Sequence, residues 1–160
     1  MDWVKLNDEF NSIIYDISHT ENNYFITGKA GTGKSTLLQY LNITLSKKCV
    51  LLAPTGRAAI NIGGQTLHSF FYLDSAVLQP KDYKNKKIKK LKNIDIVIID
   101  EISMVRADIL DSINEIMKST LDNNLPFGGK QVIMFGDPFQ LPPVVPNNEQ
   151  VHKYFNEYFP

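Results

Sequence analysis

Residues 28 to 35, Gly28-Lys29-Ala30-Gly31-Thr32-Gly33-Lys34-Ser35, set a lysine and a hydroxyl directly behind three spaced glycines. Every required position of G-x-x-x-x-G-K-[ST] is filled, the pattern of a loop that wraps phosphates. Glycine lets the backbone bend with its N–H groups turned inward, and a helix N-terminus adds positive partial charge. In such a loop Lys34 offers a mobile cation to β- and γ-phosphates. Ser35 offers a hydroxyl ligand to Mg²⁺, which prefers oxygen donors. Gly28, Ala30, Gly31, Thr32, Gly33, Lys34, Ser35 and Thr36 form the candidate phosphate-binding set. An accidental glycine-rich turn is the alternative, but an apolar run ends at Thr27 and a helical pattern begins near Lys34.

A second chemical element is "IVIIDE", ending in Asp100-Glu101. Four apolar residues carry a strand through a core and deliver two acids at its carboxyl end, where open α/β sheets bind ligands. Asp100 is placed to hold Mg²⁺, through a coordinated water. Glu101 is placed to orient and deprotonate an attacking water, which favours hydrolysis over transfer to a small acceptor. Mere surface carboxylates are the alternative. A third element, "GGKQVIMFGDPFQLPPV", ends another apolar run in Gly136-Asp137 and brings Gln140 just beyond it. An amide there can reach a γ-phosphate and so distinguish ATP from ADP. Pro142 and Pro143 stiffen the chain after the glutamine. The fourth, "APTGRAAINIGGQTLHSFF", turns at Pro54-Thr55-Gly56 and opens a helix at Arg57. Thr55, Arg57, Thr66, His68 and Ser69 make a set of donors of the type that positions phosphates. His68 reads equally as a structural capping or core histidine.

The elements that must hold these residues emerge from apolar patterning. "YFIT" (24–27), "CVLLA" (49–53), "DIVIID" (95–100) and "QVIMFG" (131–136) are short and continuously apolar, as strands covered on both faces are. Leu37, Leu38, Leu41 and Leu45 define a helix over 34–46. Ile109, Leu110, Ile113, Ile116, Met117 and Leu121 define another over 106–121. Leu6, Phe10, Ile13, Ile14 and Ile17 suggest a leading helix. Alternation of strand and helix predicts an α/β domain with a parallel β-sheet sandwiched between helices. The 160 residues are about one domain's length, and formal net charge is zero, so any nucleic-acid surface must be local. The single cysteine, Cys49, excludes an internal disulfide and a Cys-based metal cage. No signal-peptide pattern opens the chain, and no apolar run approaches the ~18 residues of a membrane span. An intracellular, reducing compartment and no membrane partner are expected. Residues 81 to 92 carry seven lysines and one acid, either a solvated surface insertion or a phosphate-backbone contact.

Together, in this order and spacing, the four stretches resemble the N-terminal motor domain of superfamily 1 helicases of the 5′-to-3′ branch, the Pif-like and RecD-like DNA helicases. "GKAGTGKST" resembles motif I, "APTGRAAINIGGQTLHSFF" motif Ia and its extension, "IIDEISM" motif II and "GDPFQLPPV" motif III. The likeness covers roughly residues 22 to 145. It implies a RecA-like P-loop NTPase fold, with ATP and Mg²⁺ at Lys34, Ser35, Asp100, Glu101 and Gln140. It also implies single-stranded DNA as partner. Pro54, Thr55, Gly56, Arg57, Thr66 and His68 fall where that family meets the strand. A small wedge subdomain is implied near residues 72–93. The family couples hydrolysis to stepping through a second RecA-like domain, which supplies an arginine finger and is absent from these 160 residues. Arg57 and Arg106, the only arginines, both lie within matched motifs. The family's adenine-reading glutamine is replaced here by Phe10 in "LNDEF", which points instead to helix packing or base stacking. A nucleotide-binding regulatory module without helicase activity is the alternative. A small-molecule kinase lacks its lid arginines here, and a GTPase its "NKxD"-like reader.

Overall fold

The computed structural model describes residues 7–74, 76, 83, 86–144 and 156–157. Leu6 of the leading helix pattern and Lys81 and Lys84 of the lysine-rich stretch lie outside them. Five parallel strands form one sheet: β1 Tyr24–Thr27, β2 Cys49–Ala53, β3 Gln65–Thr66, β4 Ile96–Ile99 and β5 Gln131–Gly136. Their spatial order is β1-β5-β4-β2-β3, so the last strand in sequence lies between the first and the fourth. The helices are α1 Asp8–His19, α2 Lys34–Thr44, α3 Gly56–Asn61, α4 Leu67–Phe71 and α5 Ala107–Leu121. All four expected strands and the three longer expected helices form, within two residues at each end of the strands and of α2 and α5. Helix α3 forms as expected at Arg57, starting one residue earlier at Gly56. The two-residue β3 and the short α4 are additions.

Pleating sorts the strand residues onto two faces. Ile96, Ile98, Ile133 and Phe135 turn to one side, where Ile17 of α1 and Leu37, Leu38 and Leu41 of α2 bury them. Val97, Ile99 and Val132 turn to the other, against Phe70 and Phe71 of α4 and Ile109, Ile113 and Ile116 of α5. Tyr83, Ile88 and Leu91 of the lysine-rich region join this second cluster. Strand β4 is buried throughout, as its continuous apolar run predicts. Strand β1 differs. It stands at the edge of the sheet, its residues alternate in exposure, and Phe25 is 53% exposed.

Helix ends are fixed by specific side chains. Asn7 caps α1 by accepting from the Phe10 N–H at 2.8 Å, with Asp8 and Glu9 in the first turn. The far end of α1 is tied to β5. The buried Gln131 amide donates to the carbonyls of Thr20 and Asn22 at 3.2 and 3.0 Å. Helix α5 starts at a buried ion pair. Arg106 Nε and Nη2 donate to the two carboxylate oxygens of Asp108, each at 2.9 Å, and Nη2 also donates to the Ala76 carbonyl. Arg106 is thereby a structural residue that joins α5 to the segment after α4. Removing one partner from such a pair strands a buried charge. Asp108→Ala is expected to lower unfolding free energy by about 3 kcal/mol or more in urea titrations. A loss below about 1 kcal/mol would show the pair to be dispensable.

Candidate nucleotide and nucleic-acid site

The carboxyl ends of β1, β5 and β4 are adjacent. Thr27 pairs with Gly136, and Ile99 with Met134. The loop after β1 runs straight into α2. Gly31 and Gly33 take φ of 80° and 88°, values that favour glycine. A Cβ on Gly28 would stand 2.6 Å from Thr32 Oγ1. Thr32 closes the turn by donating to the Lys29 carbonyl at 2.9 Å. The Lys34 ammonium donates to the carbonyls of Gly28 and Lys29, which holds it at the mouth of the loop.

Across the cleft, Asp100 is buried at the end of β4, and Glu101 follows with φ 52° and ψ 43°. That left-handed conformation costs a non-glycine residue on the order of 1–2 kcal/mol. It is supported by the Glu101 N–H donating to Asp100 Oδ1 at 3.0 Å. Strand β5 presses on the same turn. A Cβ on Gly136 would lie 2.7 Å from Ile102 Cγ2. Burial raises the Asp100 pKa, against the pull of the Glu101 N–H and Lys34. Burial raises that of Glu101 too, and the neighbouring Asp100 and Asp137 add to it. A carboxyl shifted upward beside a phosphate-type loop is suited to taking a proton.

Ala30, Gly31, Gly33, Lys34, Ser35, Thr36, Asp100, Glu101 and Gln140 line one cleft of about 450 Å³. The phosphate-type loop, both acids and the amide are thus brought together as the motif order predicts. The donor set fits a hard divalent cation: a serine hydroxyl, one buried carboxylate, and open room for phosphate and water oxygens. Among the described residues no group of three or more His, Cys, Asp or Glu could hold a metal by itself.

The family model described as PIF1-like helicase matches residues 5–157. The chain belongs to the PIF1-like helicase family. It is 40% identical over 152 residues to the ATP-dependent DNA helicase PIF1 of Saccharomyces cerevisiae (strain YJM789), covering 88% of this chain and 18% of that protein. With the ATP-dependent DNA helicase Pif1 of Bdellovibrio bacteriovorus the identity is 35%, over 88% of this chain and 34% of the relative. Among solved structures, Bacteroides Pif1 bound to ssDNA superposes with a TM-score of 0.86 at 44% identity, over 97% of this chain and 37% of that one. Pif1 from Bacteroides with ADP-AlF3 and ssDNA gives 0.87 at 45%, with the same coverage. The chain therefore spans about a third or less of the length of these relatives. Its sheet is the RecA-like sheet of Pif1 helicases.

Of the expected nucleic-acid residues of this Pif1-like chain, Thr55 and Arg57 line a hollow beside the cleft, whereas Thr66 and His68 line neither. A second hollow of about 260 Å³ is lined by Thr55, Arg57, Ala58, Asn61 and Met104, and shares Glu101 and Gln140 with the first. Arg57 is exposed there. Pro54 and Gly56 lead into α3 beside it. Thr55 caps α3, accepting from Ala58 N–H at 3.2 Å, and Thr66 caps α4, accepting from Ser69 N–H at 3.1 Å. Their oxygens serve the helices, and each hydroxyl proton stays available. Lys86 donates to the Tyr72 carbonyl at 2.6 Å, and the Lys90 ammonium lies 3.8 Å from the Phe70 ring centroid. These two lysines anchor their own segment to α4 and the residue after it, while Lys87, Lys89 and Lys92 are exposed. Phe10 is half-buried among residues packed on the core, and its ring meets Gly33, where a Cβ would come within 3.1 Å. The aromatic residue joins α1 to the phosphate-type loop, in line with the packing reading.

His68 stands near the Arg106–Asp108 pair. Burial lowers its pKa from 6.5, Arg106 lowers it further, and Asp108 opposes both. A histidine with a depressed folded pKa contributes stability above its unfolded value and loses it as pH falls through the folded one. Below pH 6.5 the protein's melting temperature should therefore fall more steeply than that of His68→Gln. Parallel melting curves for the two proteins would refute a lowered pKa at this half-buried histidine.

Proposed function

We propose that this chain is the ATP-binding and hydrolysing motor domain of a 5′-to-3′ DNA helicase. Joined to a second RecA-like domain, it would couple ATP hydrolysis to movement along single-stranded DNA. The observation that carries this reading is the shared wall between the two hollows. Glu101 and Gln140 line both the cleft of the phosphate-type loop and the hollow of Thr55 and Arg57. A change at a γ-phosphate can thus reach a strand held on Arg57 through two side chains. The relatives named as ATP-dependent DNA helicases, and the Bacteroides Pif1 complex with ADP-AlF3 and ssDNA, support the choice of ligands.

In this reading the N–H groups of residues 30–36 cradle the phosphates, and Lys34 leaves the Gly28 and Lys29 carbonyls to meet them. Ser35 and Asp100 would hold Mg²⁺, which would supply positive charge to the phosphate oxygens. Glu101, its pKa raised, takes the proton of the attacking water. Gln140 reports whether the γ-phosphate is present. Pro54, Thr55, Gly56, Arg57, Thr66 and His68 line the DNA track. Residues 72–93 form a wedge-like insertion. The finger contributed by a second domain raises turnover on the order of a thousandfold or more, so residues 1–160 alone hydrolyse ATP slowly and do not unwind DNA. The motor is assigned to the cell interior, with no membrane partner.

Lys34→Ala should abolish ATP turnover and leave the circular dichroism spectrum unchanged. Glu101→Gln should cut turnover about a hundredfold or more while ATP binding persists. DNA-stimulated turnover that survives both substitutions would refute the motor reading. Strand separation by residues 1–160 without another chain would refute the need for a second domain. Because Phe10 carries no hydrogen-bonding group, ATP and GTP should bind within about tenfold of one another. A GTP affinity weaker by about a thousandfold would place a base-reading polar group elsewhere.

A further inference from the structure

Gln140 is exposed on a loop, yet its side chain is not left to wander. Its Nε2 donates to Asp137 Oδ2 at 3.1 Å. The other oxygen of the same carboxylate, Oδ1, accepts from the Phe139 N–H at 3.1 Å. The Asp137 carbonyl accepts from the Gln140 N–H at 3.0 Å. One residue thus holds the turn by its backbone, the turn by its side chain, and the amide that the turn presents. Asp137 itself is 5% exposed and directly succeeds β5. Its predecessor, Gly136, packs against the turn that carries Glu101.

We propose that Asp137 is the positioning residue of Gln140, fixing which end of its amide faces the nucleotide cleft. A carboxylate accepts hydrogen bonds and donates none, so it selects the amide nitrogen and turns Oε1 away from itself. One N–H and the carbonyl oxygen of Gln140 are left for the cleft in a set orientation. Asp137 touches no nucleotide in this scheme. It acts through Gln140, and because it is anchored in the sheet beside the Glu101 turn, the two side chains keep a fixed separation. The inference rests on the reading of Gln140 as γ-phosphate sensor.

Asparagine at 137 separates positioning from scaffolding. Its Oδ1 can still accept from Phe139 N–H, so the turn survives. Its NH₂ then faces Gln140, and the glutamine amide must invert to meet it. The readout is the ratio of affinities for a non-hydrolysable ATP analogue and for ADP, each with Mg²⁺, measured by calorimetry on this chain. Gln140→Ala should lower that ratio about tenfold, the effect of one hydrogen bond to a charged group. Asp137→Asn should lower it comparably with ADP affinity unchanged, and in the Gln140→Ala background it should add nothing. Equal weakening of both ligands by Asp137→Asn, an unchanged ratio, or additive losses in the double variant would overturn the proposal. If Gln140→Ala itself leaves the ratio unchanged, the sensor reading falls and this inference falls with it.

Discussion

Strand β5 enters the sheet between β1 and β4, and its register with both sets the geometry of the cleft. Thr27 opposite Gly136, and Ile99 opposite Met134, bring three carboxyl ends together at one edge. Parallel strands buried on both faces admit no slip, because a one-residue shift would turn Ile133 and Phe135 from one core cluster into the other. The register is therefore held by the whole apolar interior. The loop glycines, the Asp100-Glu101 pair and the Asp137 turn inherit their spacing from it. Gly136 is a tight point, since a Cβ there would stand 2.7 Å from Ile102 Cγ2 in the turn after Glu101.

The same edge concentrates charge. Burial raises the pKa of Asp100 and of Glu101, and Asp100 and Asp137 push that of Glu101 further upward. Lys34, turned onto loop carbonyls, offsets only part of it. A divalent cation is the natural complement of such a set. Strain is stored here as well, in the left-handed Glu101. The cleft thus joins charge and backbone strain at the end of a sheet whose interior is largely apolar packing.

Much of the site was legible because its signals are local. A phosphate-type loop needs particular residue types within eight positions, and "IVIIDE" states both the strand and the acids at its end. The partner that each polar side chain takes was not legible. Arg106 reads as one of two arginines in matched motifs, but its partners are Asp108 and a carbonyl thirty residues back. The lysine-rich stretch reads as uniform charge, yet Lys86 and Lys90 are spent on Tyr72 and Phe70. Thr55 and Thr66 read as donors, and the structure gives their oxygens to helix caps. "YFIT" reads as fully covered, but β1 lies at the sheet edge and exposes Phe25.

The sequence by itself determined four of the five strands, the three longer helices, the family and the chemical inventory of the cleft. Each of these depends on residue type and short spacing, which folding does not alter. Only the tertiary structure decided the strand order, which puts the strand of motif III between those of motifs I and II. It alone seated Phe10 on Gly33, made Glu101 and Gln140 a wall common to two hollows, and set Asp137 behind Gln140. Asp137 lies three residues from Gln140, within sight of any reader of "GDPFQ". Its significance needed coordinates, because a turn's side-chain hydrogen bonds depend on dihedral angles and on the frame that anchors them, and the letters specify neither.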